Sequence, residues 1–208
     1  MDVGQTIHRP NPFATRYIAS ARLLPRDEQG GILNLASLVA RLDALGGSGA
    51  IVGPHGTGKS TVLSHLGDFI AAGKRPVGRA RLRSRRDIPA AVRSVCDASR
   101  GGLLCIDSWE LLGLTGRAVV RGLARARRVG LLVTSHGPAG LPTLISCRGT
   151  RAILGALVGE LPDHDEWFGR TIVAADLDAA LGAANGDVRQ ALDRLYDRFE
   201  RGRQQLPQ

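Results

Sequence analysis

Eight consecutive residues carry the clearest chemical signal in the chain. They are Gly53, Pro54, His55, Gly56, Thr57, Gly58, Lys59 and Ser60. Glycines at this spacing let backbone N–H groups converge on phosphate oxygens, and a helix that begins directly after them adds the positive end of its dipole. A lysine and a serine at the end of such a loop supply a mobile positive charge and a ligand for Mg²⁺. The pattern predicts a binding site for a nucleoside triphosphate.

The residues on either side of this loop predict the two elements that must position it. Residues 49–52 form a short apolar run typical of a buried strand. Apolar residues then recur at helical spacing as far as Gly73, which predicts an amphipathic helix. In this context the chain resembles the P-loop NTPases. The resemblance implies that residues 53–61, including Lys59, Ser60 and Thr61, bind the nucleotide.

Asp107 is the candidate second half of the site. It ends the apolar run 103–106, as an aspartate does in P-loop NTPases, where it holds Mg²⁺ indirectly, by way of another ligand or a water molecule. The resemblance therefore implies a metal role for Asp107 together with Ser60. A GTPase would place glycine three residues after this aspartate and would carry an Asn-Lys-x-Asp motif. Position 110 is Glu and no such motif occurs, which favours ATP over GTP.

Glu110 is the candidate to orient or deprotonate the attacking water. A carboxylate near the γ-phosphate is charged before the reaction and can accept the proton of that water. The chain resembles the additional-strand ATPases, which include the AAA+ and ABC-type families. In those families the catalytic glutamate commonly follows the aspartate directly, whereas this chain has Ser108 there. A helix-capping role for Glu110 is the alternative.

The predicted strand 131–134 ends in two further polar residues, Ser135 and His136. Thr134 or Ser135 stands where AAA+ proteins keep a sensor of the γ-phosphate, and His136 stands where ABC-type ATPases keep their switch histidine. The resemblance implies a contact between His136 and phosphate, and a surface histidine is the alternative. No Leu-Ser-Gly-Gly-Gln signature occurs, so the likeness to ABC-type ATPases ends at this histidine.

A helix is predicted to begin near Asp187, with apolar residues at 188, 191, 192, 195 and 199. The run Gly186-Asp187-Val188-Arg189 resembles the sensor-2 helix of AAA+ proteins, which implies that Arg189 lies over the nucleotide. Asp187 with Gln190 three residues later also fits a capping box without any ligand. As a third possibility, residues 176–201 form a helix-turn-helix able to enter a DNA groove.

Alternating strands and helices predict the overall architecture. The predicted strands are 49–52, 77–82, 101–107, 131–134 and 143–146. This order predicts a three-layer α/β/α P-loop NTPase core with a mostly parallel sheet. The link from His136 to Pro142 is too short for a crossover helix, which leaves an antiparallel last strand open. We divide the chain into an N-terminal arm and helix (1–46), the core (47–161) and a C-terminal helical segment (162–208).

Composition adds general limits. The 208 residues are 43% hydrophobic, enough for a core, and contain no apolar run of membrane-spanning length. The N-terminus lacks the order of a signal peptide, so we expect a cytoplasmic protein. Cys96, Cys105 and Cys147 follow no metal or disulfide pattern and are expected to be buried thiols. Phe13 and Tyr17 are candidates to stack on adenine or, alternatively, to pack in the core.

The net charge of +9 is concentrated in arginine-rich stretches. Arg79, Arg81 and Arg83 alternate with small or apolar residues, which on a strand places three guanidinium groups on one face. A second stripe follows a predicted helix, with arginines at 117, 121, 125 and 128. Either stretch forms a solvated surface or binds the phosphates of nucleic acid.

Together these patterns predict an Mg²⁺-dependent ATPase that couples ATP binding or hydrolysis to a protein partner or to self-association. Three alternatives belong to different classes. They are a small-molecule or nucleotide kinase, with residues 148–151 as the candidate basic lid, a non-hydrolysing switch whose ATP only sets the conformation shown to a protein partner, and an ATP-regulated module that binds nucleic acid.

Overall fold

The strands of this protein are short, and all of them are parallel. A computed structural model describes residues 10–18 and 23–205. The strands are β1 (Gly49–Val52), β2 (Val77–Arg81), β3 (Leu103–Asp107), β4 (Gly130–Ser135) and β5 (Thr143–Ser146). They form one sheet in the order β2-β3-β4-β1-β5. The central strands are buried on both faces, which explains their continuous apolar sequences.

Helices cover both faces of the sheet. The helices are α1 (Thr15–Ile18), α2 (Leu35–Ala44), α3 (Lys59–Ala72), α4 (Ile88–Asp97), α5 (Gly113–Arg127), α6 (Arg151–Gly159), α7 (His164–Trp167), α8 (Ala174–Ala183) and α9 (Val188–Gln205). Two 3₁₀ segments, Arg85–Asp87 and Trp109–Leu112, precede α4 and α5. Helices α2 and α3 pack on one face, and α4 and α5 pack on the other. The predicted three-layer α/β/α fold around a parallel sheet is confirmed. In the described ranges, no helix is both long and apolar enough to cross a bilayer.

The antiparallel alternative for the last strand is wrong, because β5 pairs in parallel with β1. The expectation that a parallel connection needs a crossover helix assumes strands of ordinary length. Here Ser135 pairs with Val52, and Thr143 pairs with Ala50. The link therefore returns along the length of β1 by only a few residues before β5 begins. The link also crosses from one side of β1 to the other, a lateral distance of roughly 10 Å. Seven residues at about 3.3 Å each are long enough to cover it.

The cysteines divide between core and surface. Cys105 on β3 and Cys147 after β5 are buried, and burial raises the pKa of each thiol to about 11. Cys96 is exposed, so its predicted burial is wrong. It follows the buried Val95 on α4 and therefore points away from the sheet.

A second hydrophobic cluster lies outside the sheet, and we call it the C-terminal helical cluster. It is formed by buried residues of α6, α7, α8 and α9, including the whole predicted apolar stripe of α9. Phe13 of the N-terminal arm is part of it, with its ring 5.2 Å from that of Trp167 in an edge-on arrangement. Phe13 is only 1% exposed, and Tyr17 packs against the same cluster. Phe13 is therefore a core residue rather than a platform for a base.

The buried position of Phe13 predicts a large effect of its truncation. Phe13→Ala should lower the free energy of unfolding by about 3–5 kcal/mol, because it leaves a cavity between the arm and the C-terminal helical cluster. Urea unfolding followed by circular dichroism measures this change. Phe69→Ala is the matched control, since Phe69 is 45% exposed on α3. Equal destabilisation by the two substitutions would contradict the arm's role in the cluster.

Candidate functional site

The parallel sheet brings the carboxyl ends of β1, β3 and β4 to one edge. The loop 53–58 follows β1 there, and the Gly53 N–H donates to the carbonyl of Ser135 at the end of β4, 3.1 Å away. Asp107 ends β3 on the same edge. The residues predicted from three separate parts of the sequence are thus neighbours because their strands share one direction.

Two glycines of the loop are required by close approaches. A Cβ on Gly53 would overlap the carbonyl oxygen of Cys147. Gly56 has a positive φ of 65°, and a Cβ there would overlap the carboxylate of Asp187. The loop is therefore enclosed by the chain after β5 and by the residue before α9. After Gly58, helix α3 begins at Lys59, so its N-terminus faces the space enclosed by the loop.

Lys59 is a buried cation at the start of α3, with 7% of its surface exposed. Its ammonium donates to the carbonyl of Pro54 at 2.5 Å and lies 3.2 Å from Nδ1 of His136. Burial lowers the pKa of Lys59 from its ordinary value, although the nearby carboxylates of Glu110 and Asp107 oppose this shift. The loop thus presents one desolvated positive charge.

Asp107 is held by three hydroxyl contacts. Ser60 Oγ lies 3.0 and 3.1 Å from its two carboxylate oxygens, and Thr134 Oγ1 donates to Oδ1 at 2.6 Å. Thr134 in turn accepts from the Ser108 N–H at 2.9 Å. The predicted metal residues Ser60 and Asp107 are therefore in contact, and Thr134 orients the carboxylate. A hydroxyl and a carboxylate form an all-oxygen donor set, which suits Mg²⁺.

Glu110 and His136 form a pair beside Lys59. A lysine ammonium has no acceptor, so His136 Nδ1 must be the unprotonated nitrogen, and His136 Nε2–H donates to Glu110 Oε1 at 3.1 Å. Burial lowers the pKa of His136, and the charge of Lys59 lowers it further. The second oxygen, Glu110 Oε2, is buried and has no hydrogen-bond partner among the described residues.

The turn after β3 explains how Glu110 reaches this place. Ser108 adopts a left-handed conformation with φ 66°, and the 3₁₀ segment Trp109–Leu112 follows. Trp109 is fully buried and anchors the turn, because its indole N–H donates to the carbonyl of Ala139 at 2.9 Å. The turn therefore places the third residue after Asp107, rather than the first, beside His136.

His55 also belongs to this group, although its position in the loop gave no reason to expect so. Its ring stacks on that of His136, with the centroids 3.6 Å apart and the planes at 32°. His55 is exposed, so it covers the outer side of the His136 ring. The one sequence signal for this contact is that His55 and His136 each follow a predicted strand.

A cavity of about 470 Å³ adjoins the loop 53–58 and lies between the start of α3 and the C-terminal helical cluster. Gly56, Thr57, Gly58 and Thr61 line one side of it. The arm and helices α6 and α9 line the rest with mostly apolar residues, which include Leu24, Pro25, Ile153, Leu157 and Leu192. A mostly apolar cavity of this volume, beside a glycine-rich loop, has the size and lining typical of a small-molecule site.

Two arginines reach this cavity, and only one was predicted. Arg189 lines it from the first turn of α9. Asp187 accepts from the Gln190 N–H at 2.9 Å, so the capping interaction exists alongside this placement of Arg189. Arg26 of the arm lines the cavity as well, and its Nε is buried with no hydrogen-bond partner in the described part of the chain. A single arginine in an irregular arm carries no sequence signal.

Comparison with protein-family models and with curated proteins gives no match. Among solved structures, the chain is similar to one described as a DNA replication initiation factor, with a TM-score of 0.43 and 12% identity over 78% of this chain. It spans 65% of that structure's length. It is also similar to the structure of C. elegans PCH-2, with a TM-score of 0.41 and 11% identity, over 82% of this chain and 68% of the other.

Proposed function

We propose that this protein is an Mg²⁺-dependent ATPase. One observation carries the proposal: Lys59, Asp107 and Glu110 converge at the carboxyl edge of the sheet, and Glu110 keeps one buried oxygen without a partner. These three groups have the charges that phosphoryl transfer to water requires, namely a cation for the phosphates, a carboxylate for the metal and a carboxylate for the water.

The residues fit the metal on chemical grounds. Ser60 Oγ and the Asp107 carboxylate are hard oxygen donors that already touch, and Thr134 donates to Oδ1, one of the two carboxylate oxygens that Ser60 contacts. Ser60 and Asp107 would hold Mg²⁺, which when bound supplies positive charge that offsets the charge developing on the phosphates. Lys59 contributes a further positive charge from the start of α3.

Glu110 has the arrangement of a general base. One of its oxygens accepts from His136, which fixes the direction of the carboxylate, and the other oxygen is free to accept a proton from water. His136 and Lys59 are in contact as well, so the position of the base depends on the position of the phosphate-binding cation. We infer that these groups respond together when a triphosphate enters the loop.

The cavity between the loop and the C-terminal helical cluster is the proposed place of the nucleoside. Its apolar lining from the arm, α6 and α9 suits a flat base, and Arg189, which lines the same cavity as the loop residues, is the proposed arginine contact to the phosphates. The preference for ATP over GTP rests on Glu110 and on the absence of an Asn-Lys-x-Asp motif in the sequence.

The kinase alternative has less support in the described structure. Its candidate lid arginines are engaged at other places, since Arg151 pairs with Asp178 at 2.8 Å and Arg148 approaches Glu28 at 3.9 Å. Dependence of ATP consumption on an added acceptor would favour a kinase, whereas turnover of ATP by the pure protein favours the ATPase.

Removal of the loop lysine tests the phosphate site. Lys59→Ala should weaken ATP binding at least about tenfold and lower turnover by about 100-fold or more, because the buried cation is lost. Calorimetric titration with ATP and a phosphate-release assay measure these changes. Lys74→Ala is the matched control, since Lys74 is the other lysine of the chain and is exposed. Normal ATP hydrolysis by Lys59→Ala would overturn the proposal.

Glu110→Gln tests the base. The amide oxygen still accepts from His136, but it no longer takes a proton, so turnover should fall by about 100-fold or more while ATP binding changes little. Phosphate release and ATP titration on the same preparation separate the two effects. Glu28→Gln, which removes a carboxylate that approaches Arg148 instead of His136, should leave both unchanged. Unchanged turnover in Glu110→Gln would show that Glu110 is not the base.

The lowered pKa of His136 predicts a pH dependence. The ring must be neutral to accept from Lys59, and with its pKa depressed it is neutral above the ordinary value of 6.5 and becomes charged only as pH falls below that value. We therefore expect kcat/KM for ATP to be flat above about pH 6.5 and to fall below it. In His136→Gln, the normalised profile should extend to more acidic pH, whereas the control His164→Gln should not change it. Superimposable profiles for all three proteins would contradict the role of His136.

A further inference from the structure

The loop that follows the edge strand β2 carries a dense positive charge. Residues 77–100 contain seven arginines and two aspartates, a formal charge of +5 out of +9 for the whole chain. We call Arg81, the last residue of β2, together with Arg83, Arg85 and Arg86 of the segment that joins β2 to α4, the basic loop; all four residues are exposed. The loop lies at the same edge of the sheet as the candidate nucleotide site, because β2 ends level with β3.

Asp87, the acidic residue within this segment, does not neutralise the charge of the basic loop through side-chain ion pairs. The Asp87 carboxylate accepts from the backbone N–H groups of Arg83 and Ser84, at 2.7 and 2.9 Å, and so serves to shape the turn. The guanidinium groups of Arg85 and Arg86 form no ion pair or hydrogen bond with any residue that the structure describes. Unpaired arginines are well suited to phosphate groups, which they bind through two parallel N–H donors.

The surface offers phosphate contacts without stacking contacts. Between residues 77 and 128 the sequence has one aromatic residue, Trp109, and it is fully buried. Proteins that bind single strands combine basic grooves with exposed aromatic side chains on which bases stack. A basic surface without aromatics fits the backbone of a duplex, whose bases are already stacked, and its affinity depends on neutralising phosphates.

Arg81 connects this surface to the candidate site. It pairs with Asp107 in the parallel register, and its Nε lies 3.6 Å from Asp107 Oδ2. The Arg81 side chain is 70% exposed, whereas that of Asp107 is 14% exposed. Arg81 is therefore at the boundary between solvent and the carboxylate that we assign to the metal. Its neighbour on the same strand, Arg79, pairs instead with Asp68 of α3 at 2.6 Å.

We propose that the basic loop binds the phosphate backbone of double-stranded nucleic acid and that Arg81 couples this binding to the nucleotide site. A cation held by Ser60 and Asp107 competes with Arg81 for the same carboxylate. Nucleic-acid phosphates that attract Arg81 away from Asp107 remove this competition, so each ligand favours the other. Linkage makes this effect reciprocal. The coupling rests on the proposed ATP site, whereas binding by the basic loop does not.

The first experiment tests the surface without nucleotide. Fluorescence anisotropy with a labelled duplex of about 20 base pairs, at about 50 and 200 mM salt, measures affinity and its salt dependence. The triple variant Arg83→Ala, Arg85→Ala, Arg86→Ala should lose at least about tenfold in affinity and show a smaller salt slope. The control Arg41→Ala, Arg170→Ala, Arg194→Ala removes the same charge from other surfaces and should lose much less.

Each result of this experiment decides the proposal. Absence of duplex binding, equal losses in the two triple variants, or tighter binding to phosphatidylserine vesicles than to the duplex would overturn it. Parallel titrations with duplex DNA and duplex RNA identify the source of the phosphates. Preference for a single strand of the same length would also contradict the duplex assignment. Circular dichroism of each variant confirms that the fold is retained.

The second experiment tests the coupling with a matched pair of substitutions on β2. Addition of Mg²⁺ and a non-hydrolysable ATP analogue should tighten duplex binding about fivefold in the unmodified protein. Arg81→Gln should abolish this change, whereas Arg79→Gln, which removes the same charge from the same strand, should retain it. Equal coupling in both variants would overturn the role of Arg81. If ATP does not bind, the ATPase proposal and the coupling both fail, and the first experiment still decides the duplex surface.

Discussion

The carboxylate of Asp107 is the point at which four elements of the structure meet. Ser60 reaches it from α3, Thr134 from β4 and Arg81 from β2, while Asp107 itself ends β3. A carboxylate in such a place needs these donors, because a partly buried charge without partners would be costly. The strands β2, β3 and β4 are joined at this edge through the Asp107 carboxylate, which Arg81 approaches with a largely exposed side chain.

A second contact chain extends from this edge into the rest of the site. Lys59 contacts His136, His136 contacts Glu110, and His55 covers the His136 ring. Lysine can only donate and the carboxylate can only accept, so the neutral histidine between them has a defined tautomer. This arrangement joins the loop after β1 to the turn after β3 through a residue at the end of β4. A displacement of Lys59 toward phosphate would therefore change the surroundings of Glu110.

The sequence predicted the parts of this structure that depend on local pattern. The strand runs, the loop around Lys59 and the helix after it follow directly from hydrophobic spacing and glycine placement. The parallel direction of β5 was beyond this reasoning, because it depends on how far the short strands overlap. The exposed position of Cys96 was missed for a related reason, since composition near a residue does not tell which side of a helix it occupies.

The contacts that give the site its chemistry are long-range and were less predictable. Glu110 and His136 could each be named from strand ends, but their pairing depends on the left-handed turn at Ser108 and on the hydrogen bond from Trp109 to Ala139. Arg26 is held at the cavity by contacts of its own, since it donates to the Gly30 carbonyl and pairs with Glu160, which follows α6. No pattern within the arm encodes that neighbour.

The short link from β4 to β5 has a consequence for His136. With no crossover helix in this link, the loop 136–142 must be stabilised by other elements. Trp109 donates to Ala139 and Arg117 of α5 donates to the carbonyl of Pro138 at 3.1 Å, so the loop is tied to the turn that carries Glu110. The same turn therefore positions both members of the Glu110–His136 pair. Their distance is set by one structural unit, which places the third residue after Asp107, rather than its immediate neighbour, beside His136.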